Sequence, residues 1–169
     1  MSILPMNDMA NTYIEHSIVI HNFVTTVGSQ LKSSMCRVFG DSVKYKWIEN
    51  ENKPVIPDVS INCDIKNRRS TNFLGVPRFI MEVLSDATEQ YDRTEKMELY
   101  KKVEVAEYWL VDWRKKQVEI YVLSPDENSI DDAEYKLISI ITEENKSELK
   151  INLFPNIPIQ FDQLFDCID

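Results

Sequence analysis

The 169 residues suffice for one full hydrophobic core, and 43% apolar content with only three glycines excludes a disordered chain. A formal charge of −9 should repel a polyanion, so it argues against a protein that grips one by charge alone. No apolar run approaches the roughly 20 residues that a membrane-spanning helix needs, and no signal-peptide pattern is present, so one soluble, cytoplasmic domain over residues 1–169 is expected.

Ile20, Phe23, Val24, Val27 and Leu31 recur at helical spacing and predict a first helix from about Asn11 to Met35. His16 stands one turn before Ile20 on the same face, while Glu15 points about 100° away and His21 lies on another face. Taken alone, His16 reads as a buried histidine bonded to a backbone carbonyl. Strands are predicted at Cys36–Phe39 and at Val43–Ile48, where Val43, Tyr45 and Trp47 alternate with lysines, and Glu49–Pro54 reads as a hairpin turn. It returns the chain into a strand-like run from Val55 to Cys63, with Asp58 directly after Pro57. The polar segment Ile65–Asn72, with Lys66, Arg68 and Arg69, leads out of that run. It is expected near one end of any site the flanking strands share, as a solvated turn or a phosphate contact.

Arg78–Ser85 suits a strand buried on both faces, with Phe79, Met81 and Val83 pointing one way and Ile80 and Leu84 the other. Glu82 is the exception. A carboxylate midway along such a strand is costly to desolvate unless it is protonated, paired or bound to a cation. A lone acid bonded to backbone amides or an arginine would answer that; so would Asp58, if the two strands are neighbours and both acids converge on one hard divalent cation. With no cation between them the two acids should repel, so that one takes a raised pKa or the pair costs stability. Further on, Asp92 and Glu95 carry the spacing of an N-cap and capping box, which places Lys96 on the inner face of the following helix beside Leu99, Tyr100 and Val103. From there Lys96 either reaches the carboxylates or forms no more than an exposed pair with Asp92 one turn back.

Strands are predicted at Glu107–Asp112 and Gln117–Leu123, joined by a turn at Trp113–Lys116, and at Tyr135–Ile141. The acidic stretch Ser124–Glu134 is expected to be a mobile loop, and Phe161–Phe165 a short terminal helix. Cys36, Cys63 and Cys167 are odd in number and lack a CxxC pair, so they read as reduced thiols, neither a zinc site nor a disulfide framework. Helix, antiparallel strands, buried strand, helix and strands give an α+β (or α/β) fold with a mixed sheet.

Pro57-Asp58, Glu82-Val83-Leu84-Ser85, Tyr91-Asp92-Arg93-Thr94-Glu95-Lys96 and Tyr108-Trp109-Leu110-Val111-Asp112, in this order, resemble the Uma-type family of putative restriction endonucleases, within the PD-(D/E)XK nuclease-like superfamily. The likeness covers about residues 14–165. It implies a restriction-endonuclease-like mixed β-sheet flanked by helices. It also accounts for a departure: the usual motif would place lysine where Leu84 stands, whereas chains resembling this one supply it from the next helix, here Lys96. The resemblance further implies Asp58, Glu82 and the backbone carbonyl of Val83 as ligands of Mg²⁺ or Mn²⁺. Lys96 is the implied catalytic lysine and His16 a supporting group, and the assembly is a homodimer.

The charge is unevenly placed. Residues 1–124 carry 16 Lys and Arg against 17 acids, a balance of −1, and residues 125–169 carry 3 against 11, a balance of −8. The stretch that bears the candidate residues is thus nearly neutral, and the reading is a Mg²⁺-dependent endonuclease hydrolysing phosphodiester bonds in DNA. The alternative is a catalytically inactive nuclease-fold module that binds or regulates, which the acidic surface favours and the intact Asp58, Glu82 and Lys96 set opposes.

Overall fold

Helix α1 (Ile14–Gln30) buries Val19, Ile20, Phe23 and Val27, the stripe its spacing dictates. A computed structural model describes residues 13–47, 53–66, 68–70, 73–126 and 129–169. Within these residues α1 is shorter than expected: Leu31 closes it with a backbone N–H bond to the Gly28 carbonyl, and Asn11 lies outside the described residues. The predicted hairpin turn at Glu49–Pro54 also falls largely outside them. At Gly28 the helix lies close to the sheet: a Cβ there would meet Val38 Cγ1 at 3.0 Å, so that side chain would have to shift by a few tenths of an ångström.

The sheet has six strands in the order β1-β2-β5-β6-β7-β8, built from β1 (Arg37–Phe39), β2 (Val59–Asn62), β5 (Phe79–Val83), β6 (Glu107–Asp112), β7 (Gln117–Asp126) and β8 (Ser129–Ile141). Only β5 and β6 run parallel, with Phe79 beside Glu107 and Val83 beside Val111; every other pairing is antiparallel, so the sheet is mixed as expected. A parallel pair needs a crossover, which helices α2 (Glu89–Arg93) and α3 (Glu95–Lys102) supply. The sheet therefore carries two cores. On one face Phe23 stacks on Phe79 at 5.3 Å and both meet Trp109 edge-on, with α1 and the terminal helix α4 (Phe161–Leu164) as cover. On the other, Ile80, Leu84 and Leu110 pack with Tyr100 of α3 and with Tyr45, Trp47 and Tyr108.

Four expectations are corrected. Cys36 and Cys63 form a disulfide rather than staying reduced. The antiparallel register pairs Arg37 with Asn62, so the next residues out, 27 apart in sequence, face each other across β1 and β2. Cys167 is free and exposed. Of the expected Val43–Ile48 strand, described through residue 47, the described residues keep only a bridge from Tyr45 to Val55. The polar segment after β2 is a small hairpin of β3 (Arg68–Ser70) and β4 (Phe73–Leu74) rather than a loop. Finally, the acidic stretch continues the β7–β8 hairpin through Asp126 and from Ser129. No helix among the described residues is long and apolar enough to cross a membrane.

Candidate active site

Strands β2 and β5 are antiparallel neighbours with Val59 beside Met81, which brings Asp58, just before β2, opposite Glu82 near the end of β5. Each acid takes a backbone donor from the other's strand. The Asp58 N–H donates to Glu82 Oε2 at 3.2 Å, and the Val83 N–H donates to Asp58 Oδ2 at 2.8 Å. This reciprocal lock also fixes where the intervening hairpin goes. Because the chain turns back between β2 and β5, Lys66, Arg68 and Arg69 leave from the far end of the strands, not from the end that bears the acids, which corrects their expected place near the site.

Two bases close the cluster, one from each helical layer. From α1, His16 Nε2 lies 3.2 Å from Asp58 Oδ2, while its other ring nitrogen, Nδ1, finds no partner among the described residues. From α3, Lys96 Nζ lies 3.2 Å from Glu82 Oε2 and 2.9 Å from Asp92 Oδ1. The Asp92–Lys96 pair one turn apart thus exists, but it is buried rather than exposed. Asp92 also accepts the Thr88 hydroxyl at 2.9 Å and sits inside α2, so it is no N-cap; Thr94 separates α2 from α3 without a side-chain cap. Tyr100, one turn beyond Lys96, donates to Glu82 Oε1 at 2.6 Å. The sequence marked Tyr100 only as part of the packing stripe. Its spacing from Lys96 was the available sign that both side chains reach the same carboxylate.

These surroundings push the two acids apart. Glu82 is 0% exposed, and burial lifts its pKa well above the ordinary carboxyl value; Lys96 counters, while Asp58 and Asp92 add to the rise. Burial pushes Asp58 the same way, but the His16 bond and charge, the Val83 amide and Lys96 outweigh it and hold Asp58 below its ordinary value. One of the pair is therefore held ionised and the other drawn toward protonation, as two like charges at close range require. For Lys96, burial works against the charged form, yet Glu82, Asp92 and Asp58 raise its pKa above the ordinary lysine value. His16 is likewise raised: burial lowers it, and Asp58, Asp41 and Asp92 more than offset that.

The donor set suits a hard cation. Asp58 and Glu82 offer carboxylate oxygens, the former on a side chain that keeps 17% exposure. Among the described residues no three His, Cys, Asp or Glu side chains converge as a metal cage. An ion held by Asp58 and Glu82 would take oxygen ligands, a donor type that suits Mg²⁺ or Mn²⁺.

The model of the Uma2 family, described as putative restriction endonuclease, matches residues 6–160. The chain belongs to the Uma2 family. An uncharacterized protein of Synechocystis sp. is 31% identical over 112 residues, which cover 66% of this chain and 58% of that relative, so this Uma2 chain spans little more than half its length. The fold is similar to the crystal structure of a putative nuclease belonging to DUF820 from Anabaena variabilis, with a TM-score of 0.66 at 19% identity over 89% of this chain and 80% of that one. At that identity the likeness supports the mixed-sheet nuclease-like fold of this Uma2 protein. What the fold does rests on the site.

Proposed function

We propose that this Uma2 protein is a Mg²⁺-dependent endonuclease that hydrolyses phosphodiester bonds in DNA. The observation that carries the reading is the Lys96 ammonium, 15% exposed, seated against the Glu82 carboxylate that is itself locked to Asp58. A fully buried acid and a largely buried lysine cost stability unless they serve one another or a ligand, and such groups cluster where chemistry needs shifted pKa values. In this reading Asp58, Glu82 and the Val83 carbonyl hold the ion. The ion they would hold would supply Lewis acidity for the scissile phosphate and for a bound water. Lys96 offsets the extra negative charge of the transition state. Tyr100 holds Glu82 Oε1, leaving Oε2 toward Asp58 and Lys96, and His16 keeps Asp58 turned to the strand end. Paired in a homodimer, two such sites would act on the two strands of a duplex.

The net charge of −9 favours the other reading, a nuclease scaffold that binds or regulates without cleaving. Incubating single- and double-stranded DNA with the purified protein, with and without Mn²⁺, separates the two. Cleavage is expected only with the ion, and Glu82→Gln and Lys96→Ala should each reduce it by about 10²-fold or more while circular dichroism stays unchanged. Cleavage by Lys96→Ala at the parent rate would remove lysine from the mechanism. Intact DNA under every condition would favour the non-catalytic module.

A further inference from the structure

Two buried acids, not one, hold the Lys96 ammonium. The reaction proposed above uses Glu82 and makes no use of Asp92, yet Asp92 is only 1% exposed. It is also thoroughly fixed. The Thr88 hydroxyl donates to Oδ2 at 2.9 Å, the Tyr108 hydroxyl donates to its carbonyl oxygen at 2.8 Å, and Lys96 Nζ sits 2.9 Å from Oδ1. Burial at this depth is costly for a carboxylate and raises its pKa above the ordinary aspartate value. A helix carrying such a residue one turn from a buried lysine gains from it only if the lysine needs a second partner.

That need follows from who claims Glu82 Oε2. This oxygen already accepts the Asp58 N–H at 3.2 Å and the Lys96 ammonium at 3.2 Å. A divalent cation taking the same oxygen would meet the ammonium at contact range. Lys96 would have to yield, and with no other anion near it would be left as an unpaired buried cation beside a dication. Asp92 Oδ1 is already within bonding distance, so the ammonium can give up Glu82 without leaving the site.

We propose that Asp92 is a second seat for the Lys96 ammonium, holding it beside the site when a divalent cation takes Glu82 and so setting how tightly that cation binds. The inference rests on Asp58 and Glu82 being a metal site, and it makes Asp92 a positioning residue that acts through Lys96.

Mn²⁺ binding to the whole chain, followed by the electron paramagnetic resonance of the free ion, tests it in the parent, Asp92→Asn, Lys96→Met and the double variant, with Glu82→Gln as reference. The amide oxygen of Asp92→Asn can still accept the Thr88 hydroxyl, so the loss falls mainly on the lysine. Asp92→Asn should raise the Kd about tenfold, and Lys96→Met should lower it below the parent's. With methionine at 96, Asp92→Asn should change the Kd by no more than about threefold. An equal change in both backgrounds would make Asp92 a remote charge and overturn the inference while leaving the metal site intact. A parent Kd unaffected by Asp92→Asn would do the same. Parent and Glu82→Gln alike failing to bind Mn²⁺ at millimolar ion would overturn the metal site and the inference with it. If Asp92→Asn does not fold, Lys96→Met decides alone: a Kd equal to the parent's or above it overturns the second seat.

Discussion

Asp58 and Glu82 meet as like charges at one end of two strands, and the chain answers with a base from each helical layer. Glu82 was legible in the sequence because a carboxylate among seven strand-forming residues needs a cause. The His16–Asp58 contact was not, since 42 residues separate the partners and no periodicity spans that distance; only the family resemblance pointed to His16. That contact changes what Asp58→Asn should do. Repulsion alone would leave the metal-free variant as stable as the parent, but Asp58 is held below its ordinary pKa by His16 and the Val83 amide, so its charge stabilises the fold at neutral pH. Asp58→Asn should therefore lower the metal-free melting temperature. Saturating Mn²⁺, at about a hundred times its Kd, should raise the parent's by about 5–10 °C and the variant's hardly at all. An equal rise in both, read by thermal denaturation, would mean that Asp58 is not a ligand.

Among the elements, β6 matched its expected bounds residue for residue because six consecutive buried positions leave no ambiguity of length. The capping signal at Asp92 failed for a physical reason. Thr88 and Lys96 claim the Asp92 carboxylate, so it has nothing left for a helix N-terminus, and the chain breaks instead at Thr94. The inner part of the β7–β8 hairpin was legible as two strands, but its outer part, from Ser124 to Glu134, read as a loop because acids there break the apolar alternation that marks a strand. What holds α2 in place was also missed: Arg93 makes a two-pronged bond to Glu119 of β7, at 2.8 and 2.9 Å, and a third to Glu89 at 3.1 Å. The Arg93 bond, opposed by burial, sets Glu119 below its ordinary value of 4.5. A depressed carboxyl stabilises the fold above its unfolded pKa, and that stability is lost as pH falls through the lower folded value. Glu119→Gln should thus cost about 1.5–3 kcal/mol in urea denaturation at pH 7. The gap between parent and variant should hold down to about pH 5 and close in stronger acid. A gap that persists unchanged in acid would show that the pair does not anchor α2 through charge.

At the scale of the whole molecule, the sheet order decides which distant segments meet, and sequence patterns alone do not reveal it. The pairing of β1 with β2 joins Cys36 to Cys63, and the antiparallel return from β2 to β5 sends the Arg68–Arg69 hairpin to the end away from the acids. Among the described residues, Lys96 and His16 are the bases that touch the two acids. The acidic part of the chain, residues 125–169 with a balance of −8, includes α4, which Asn22 fastens to α1 through the Leu164 and Asp166 carbonyls. Asn22 lies six residues beyond His16 on α1, about 9 Å along the helix axis at 1.5 Å per residue. That is about the Debye length at 0.15 M salt, so repulsion of a polyanion from the α4 end of this region is weakened there and grows as salt is removed. A nuclease built this way should hold DNA through its ion and a few phosphates. Each neutralised phosphate contributes about −0.9 to the slope of log affinity against log salt, so the Glu82→Gln protein, or the parent in Ca²⁺, should give a slope no steeper than about −2 in fluorescence anisotropy. A tenfold drop in salt should then raise affinity by no more than about 100-fold. A slope of about −5 or steeper would reveal a broad phosphate-binding face, and substrate capture would then belong to that face rather than to the Asp58–Glu82 site.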